Sequence, residues 1–170
     1  MIDEFKIGEY VLYAKDGVCL VEDIAPLDFS PDKPYYILKP VNSKGSTVYV
    51  PTDSEKLVSK MHRLMNKAEI DDLLLNTRGK VIKWIDSKPE RTEYFNEIIA
   101  EANRQKLVLL VRCLYLKRSE RLSEKKHLCA SDESILKTAE KLIREEFAYA
   151  LSCSEDSVGD YIRAKLNVAR

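Results

Sequence analysis

The sequence predicts an α+β chain in two domains, a small β-domain followed by an all-α bundle of about five helices. Three observations carry this. Short runs rich in β-branched and aromatic residues, separated by turn residues, fill the first fifty positions, and Thr47-Val-Tyr-Val50 contains nothing else. From Lys56 onward the only proline is Pro89 and the only glycines are Gly79 and Gly159, while apolar residues recur at helical spacing. Charge divides the same way. Residues 1–55 carry five basic and ten acidic side chains and residues 56–170 carry 23 and 18, so a zero net charge hides −5 and +5. A chain of 170 residues is long enough for one ordinary domain or two small ones. The boundary falls between about Pro51 and Leu64, giving domains over 1–55 and 64–170.

In chain order, Tyr10-Val-Leu-Tyr13 is a first strand, stopped by Asp16-Gly17, a dipeptide suited to a tight hairpin with positive φ. Val18 to Ile24 returns. Pro31, Asp32 and Pro34 mark a loop, and Tyr35 to Val41 and Ser46 to Val50 are two further strands around Asn42-Ser-Lys-Gly45. Strands this short and this close in sequence make a small SH3- or Tudor-like β-barrel or a strongly curved sheet. Such a domain has no room for a deep catalytic cavity and works through an edge strand or a shallow groove. Lys67 to Leu75 is a first helix, stopped by Asn76-Thr-Arg-Gly79. Ser87-Lys-Pro-Glu90 reads as a capping box that opens a second helix towards Ala102. Leu107, Leu110, Val111 and Leu114 mark a third, and Ile135 to Leu151 a fourth, with Ser131 as its N-cap. Ser154 caps a last helix from Glu155 to about Val168.

Composition excludes several classes of function. No uncharged run is long enough to span a bilayer, and no apolar block follows the N-terminus, so a cytoplasmic chain without a membrane partner is expected. Cys19, Cys113, Cys129 and Cys153 form no CxxC pair and suit reduced, mostly buried thiols. His127-Leu-Cys129 offers two ligands where a structural zinc site needs four, so neither metal nor cofactor is expected. No GxSxG, HExxH or phosphate-binding glycine loop occurs, and His62 and His127 stand without a nucleophile at a recognisable spacing. The carboxylate pairs Asp71-Asp72 and Glu145-Glu146 read as solvated helix faces. The chain is expected to bind rather than to catalyse.

Residues 78–126 hold 13 basic and 7 acidic side chains, a modest excess that suits either a polyanionic partner or a solvated surface. Trp84, the only tryptophan, lies among Arg78, Lys80, Lys83, Lys88 and Arg91. Two readings stand side by side. One is an aromatic wedge that enters a base step while Lys and Arg take the phosphates. The other is a ring that packs the bundle together. Arg118, Arg121 and Lys125, at i, i+3 and i+7, are either a solvated face or a track for a phosphate backbone. Ser46 to Pro51 can add to a partner's sheet through main-chain hydrogen bonds, or lie inside the barrel.

Phe5-Lys-Ile-Gly-Glu-Tyr-Val-Leu-Tyr13, Asp16-Gly17-Val18, Tyr35-Tyr-Ile-Leu38 and Thr47-Val-Tyr-Val-Pro51 resemble the N-terminal domain of the CarD/CdnL family of bacterial transcription regulators, a domain shared with the transcription-repair coupling factor. Trp84 with Asp86 and Arg91, Leu110-Val-Arg-Cys-Leu-Tyr115, Asp132-Glu133, Ala139-Glu140 and Glu146-Phe147 extend the resemblance over nearly the full length. They read most like members from low-GC Gram-positive bacteria. The resemblance implies that the β-domain docks on the β subunit of RNA polymerase by extending one of its sheets, with Thr47, Val48, Tyr49 and Val50 as the contact strand. It also implies that the helical domain sits at the upstream edge of the transcription bubble. There Trp84 wedges into the minor groove of promoter DNA without sequence-specific recognition, and Lys83, Lys88 and Arg91 take nearby phosphates. The implied outcome is a more stable open promoter complex, with one monomer on one polymerase. Actinobacterial members carry polymerase-holding arginines at the positions matching Leu27 and Tyr49, and the stretch after Trp84 has a few extra residues, including Pro89. Beside this stands a different class of function, a protein–protein adaptor whose β-domain binds a partner strand without DNA contact.

Overall fold

The computed structural model describes residues 4–166, and the chain divides at Leu64 into two compact units. The first contains β1 (Tyr10–Tyr13), β2 (Gly17–Leu27), β3 (Ser30–Pro40), β4 (Val48–Pro51), a one-turn helix α1 (Glu55–Val58) and β5 (Met61–Arg63). All neighbouring strands are antiparallel in the order β4-β3-β2-β1-β5, which leaves β4 and β5 with one neighbour each. The connection from β1 to β2 is a short 3-10 turn, Ala14–Asp16, longer than a two-residue hairpin; Gly17 supplies the positive φ and pairs with Tyr13. β2 and β3 run on as a long ribbon, so the loop expected at Pro31 to Pro34 is part of a strand. Beyond Tyr35 no β4 residue lies opposite β3, and prolines are tolerated on such an open stretch.

Side chains alternate across β3: Tyr36, Leu38 and Pro40 are buried while Tyr35, Ile37 and Lys39 face outward. Val11, Cys19, Val21, Val50 and Met61 complete the core around them. Phe5 meets Tyr36 edge-on at 5.9 Å, and its backbone N–H donates to the Tyr36 hydroxyl. Ser54 caps α1 by accepting from the Leu57 N–H at 3.4 Å, and β5 then pairs with β1 through Leu12↔His62. These two short elements carry the first unit to Leu64, beyond the expected end at residue 55.

The second unit has α2 (Lys67–Asn76), α3 (Lys88–Glu101), α4 (Arg104–Ser123), α5 (Ala130–Leu151) and α6 (Glu155–Leu166), and α5 packs against each of the other four. Residues 167 and 168 of the expected last helix lie outside the described residues. No helix among the described residues is long and apolar enough to cross a membrane.

Several local expectations are corrected. A reciprocal capping box forms at Asn66 and Glu69, before α2, and not at Ser87. Ser87 occupies the N-cap position of α3 without a side-chain bond; the turn closes through Arg91 N–H to the Ser87 carbonyl at 2.9 Å, with Pro89 presetting the backbone. Cys129, not Ser131, is the N-cap of α5; Ser131 is already inside the helix, with its hydroxyl 3.2 Å from the Cys129 Sγ. Lys125 has left α4 (φ 60°), so the stripe from Arg118 ends with the helix.

The largest correction concerns the carboxylates. Glu145 and Glu146 are buried, not solvated. Glu146, 1% exposed, accepts both Nε and Nη2 of Arg104 at 3.0 Å and the Met65 N–H at 2.9 Å. Three donors offset the cost of burying its charge. Asp71 accepts from the Tyr161 hydroxyl and lies 3.6 Å from Lys165, and these partners hold it below the usual carboxylate range; Asp72 is exposed. In turn, desolvation and then the Asp71 carboxylate push the Tyr161 phenol from 10.0 up to about 12. A folded value above the unfolded one contributes stability that is complete below about pH 10 and lost as pH rises towards about 12. The difference in urea midpoint between wild type and Tyr161→Phe is therefore expected to be constant from about pH 5 to pH 10, to shrink above it as the phenol ionises, and to shrink again in acid as Asp71 is protonated.

Candidate functional site

Gly79, at φ 74°, lets the chain leave the end of α2, and the segment from Lys80 to Ser87 crosses to α3 without regular structure. Trp84 sits on this loop, half-buried. The Arg91 guanidinium lies 4.3 Å from the ring centroid, the Lys117 ammonium from α4 lies 5.0 Å from it, and Phe95 meets the ring at 6.2 Å and 62°. The indole is thus fixed by two cations and one aromatic edge.

Arg91 is itself held from inside. Its Nε donates to Asp132 Oδ1 at 3.1 Å and its Nη2 to Oδ2 at 2.9 Å, and the two side chains are 6% and 2% exposed. Its Nη1 donates to the carbonyls of Ile85 at 2.9 Å and Asp86 at 3.3 Å. One guanidinium therefore ties α3 to α5 and both to the backbone that follows Trp84. The Cys129 thiol adds a donor to Asp132 Oδ2 at 3.0 Å. The hydrogen bonds that Arg91 donates to Asp132 shift it further towards its charged form.

Of the residues expected at a DNA contact, Lys83 and Lys88 are exposed near Trp84 in the chain, whereas Arg91 is buried with its donors engaged. Phe95 and Lys117 were not anticipated as partners of Trp84. Phe95 had a signal, since it follows Arg91 by four residues and so shares its helix face; Lys117 comes from a distant helix and had none. Beside the indole, between the loop and α4, runs an open groove of about 260 Å³.

In the first unit, β4 is an edge strand rather than an interior one, with its outer main-chain groups unpaired by any strand among the described residues. Tyr49, 49% exposed, stands opposite Ile37 on the outward face, while Val50 is buried opposite Tyr36 and Val48 is half-buried. Thr47 precedes the strand, and its hydroxyl accepts from Lys39 Nζ at 2.6 Å. Leu27 lies at the far end of β2, opposite Ser30.

A family model described as the CarD-like/TRCF RID domain matches residues 5–63, which span the whole sheet and α1. Residues 5–63 are similar to a CarD-like domain. Domains of this family interact with the β subunit of RNA polymerase, which makes them protein-interaction modules of transcription. The CarD-like match runs through Arg63, so α1 and β5 belong to the domain and are not a linker. No curated protein matches the chain. Among the described residues, no three His, Cys, Asp or Glu side chains converge as a metal site.

Proposed function

We propose that the chain is a transcription regulator tethered to the RNA polymerase β subunit through β4, which stabilises the open promoter complex by wedging Trp84 into the minor groove at the upstream edge of the bubble. The observation that carries this is the mounting of Trp84. An aromatic side chain on an irregular loop is half-exposed, yet its position is set by a buried ion pair and a facing aromatic ring. A ring needed only for packing requires no such mount. Lys83 and Lys88 supply phosphate contacts on either side of Trp84, and Arg91 acts by positioning the indole rather than by reaching DNA. The contacts are not sequence-specific, because the lysines take phosphates and the minor groove presents only a degenerate pattern of base edges. The β4 edge takes a strand of polymerase by main-chain pairing, with Thr47, Val48, Tyr49 and Val50 as the contact segment. Docking one monomer there raises its effective concentration at the promoter, which compensates for weak intrinsic DNA affinity.

The deciding experiment is open-complex lifetime with wild type, Trp84→Ala and no added protein. Prolongation by wild type alone supports the reading, and no effect of wild type refutes it in favour of an adaptor without DNA contact. A second variant isolates the tether. Tyr49→Glu places a charge on the exposed face of the edge strand, where charges block pairing with a further strand. It is expected to weaken binding to the polymerase β subunit by about tenfold or more, equivalent to about 1.4 kcal/mol, without changing far-UV circular dichroism.

A further inference from the structure

We propose that the groove beside Trp84 receives a single unpaired nucleotide, with its base on an apolar floor and its phosphate on Arg112. This deepens the DNA-facing reading of Trp84 and rests on it. The loop contributes Val81, Ile82 and Trp84 to the groove, and α4 contributes Leu109, Cys113 and Leu116. Val81 is 74% exposed and Leu116 is 60% exposed, so two large apolar side chains face water at its mouth. Burial pushes the Cys113 thiol up, so that wall remains neutral and apolar at physiological pH.

Arg112 decides the chemistry. It is half-buried along the groove, and no carboxylate, carbonyl or aromatic ring among the described residues partners its guanidinium. Its neighbour Lys117, by contrast, is engaged with Glu120 at 3.3 Å and with the Trp84 ring. A guanidinium beside an apolar surface and without an internal partner suits an anion that carries a flat apolar group, and its planar fork matches a phosphate. Charge in the groove favours an anion: Arg112 and Lys117 line it against Glu120 alone. A ring that opens a base step displaces a base next to it, and this groove lies against that ring. Apolar walls recognise the base by contact and stacking, so the site tolerates any of the four.

The test uses the full chain and two labelled oligonucleotides of equal length and charge, a paired duplex and the same duplex with a short central run of mispaired thymines, followed by fluorescence anisotropy. Wild type is expected to bind the mispaired duplex about tenfold tighter, in the lower part of the range for one base stacked on an aromatic ring. Arg112→Gln and Leu116→Ser are each expected to bring that ratio close to one while affinity for the paired duplex stays within about twofold. Lys83→Gln, a phosphate contact outside the groove, is expected to weaken both DNAs alike. Urea midpoints confirm that each surface variant is folded. Measurable but equal binding of both DNAs by wild type overturns the groove and leaves Trp84 standing. Equal weakening of both by Arg112→Gln also overturns it, reducing Arg112 to a general phosphate contact. Loss of polymerase binding by Arg112→Gln with DNA binding unchanged assigns the groove to a protein and overturns it. Failure of wild type to bind either DNA overturns this proposal, whereas the reading on which it rests stands or falls separately with open-complex lifetime on the polymerase.

Discussion

Asp132→Ala is expected to cost about 3–5 kcal/mol of stability in the second unit, the range for removing one partner of a buried ion pair. The pair is bidentate, and its two side chains are 6% and 2% exposed, so water has little access to the guanidinium left behind. Arg91 would keep the Ile85 and Asp86 carbonyls and the Trp84 face, none of which carries a compensating charge. The loop after Trp84 then loses its anchor to α5. Trp84 is the only tryptophan and lies in the second unit, so its emission reports the unfolding of that unit alone in a urea titration. A loss below about 1 kcal/mol would mean that the pair behaves as a surface bridge and that the loop is held by something else. The double variant Arg91→Met with Asp132→Leu separates charge from packing. Exchanging a whole buried pair for apolar groups costs much less than breaking it, so the double variant is expected to be more stable than Asp132→Ala. If Trp84 acts through its mounting, the double variant should nevertheless prolong the open complex less than wild type does.

Trp84→Ala is expected to leave the fold intact and to bring open-complex lifetime back close to that without the protein. The stability cost is bounded by what the half-buried ring touches. Cation–π contacts with the buried Arg91, about 2 kcal/mol, and with Lys117, about 0.5–1 kcal/mol, an edge contact of about 0.5–1.5 kcal/mol with Phe95, and the area the ring buries are the main terms. The functional cost follows from transition-state arithmetic. A ring stacked at an opened step contributes about 1–3 kcal/mol, and about 1.4 kcal/mol changes a rate tenfold. One indole is therefore sufficient for a tenfold change in lifetime. Polymerase binding should not change, because β4 belongs to the other unit. Trp84→Phe should keep part of the effect, since it retains a π face of smaller area. Global unfolding of Trp84→Ala would instead make the indole a packing residue, and the proposed wedge would fail.

Much of the architecture was legible because it depends on local chemistry. Turn residues and β-branched runs define the strands of the first unit, and the scarcity of glycine and proline after Lys56 defines the helices of the second. What escaped has a shared cause. The four-residue helix α1 and three-residue strand β5 are shorter than any period that a pattern can reveal. Asn66 and Glu69 carry a capping signal at the right spacing, as does Ser87-Lys-Pro-Glu90, and spacing alone does not tell the pair that bonds from the one that does not. At the candidate site, the tryptophan, its position on a loop and its basic surroundings were all visible in the chain. The groove was not, because its two sides come from residues 81–84 and 109–120, which only the folding of α4 against the loop brings together.

By itself, then, the sequence determined the longer runs of strand and the five long helices, where Trp84 stands, and that the two halves differ in charge; these depend on propensity, spacing and composition. Only the tertiary structure decided that β4 is an edge, that Glu146 is buried against Arg104, and that Arg91 faces Asp132 rather than solvent. A charged residue on an amphipathic helix looks the same in sequence whether water or an opposite charge lies across from it. The choice depends on desolvation and on a partner dozens of residues away, neither of which is a property of the local chain.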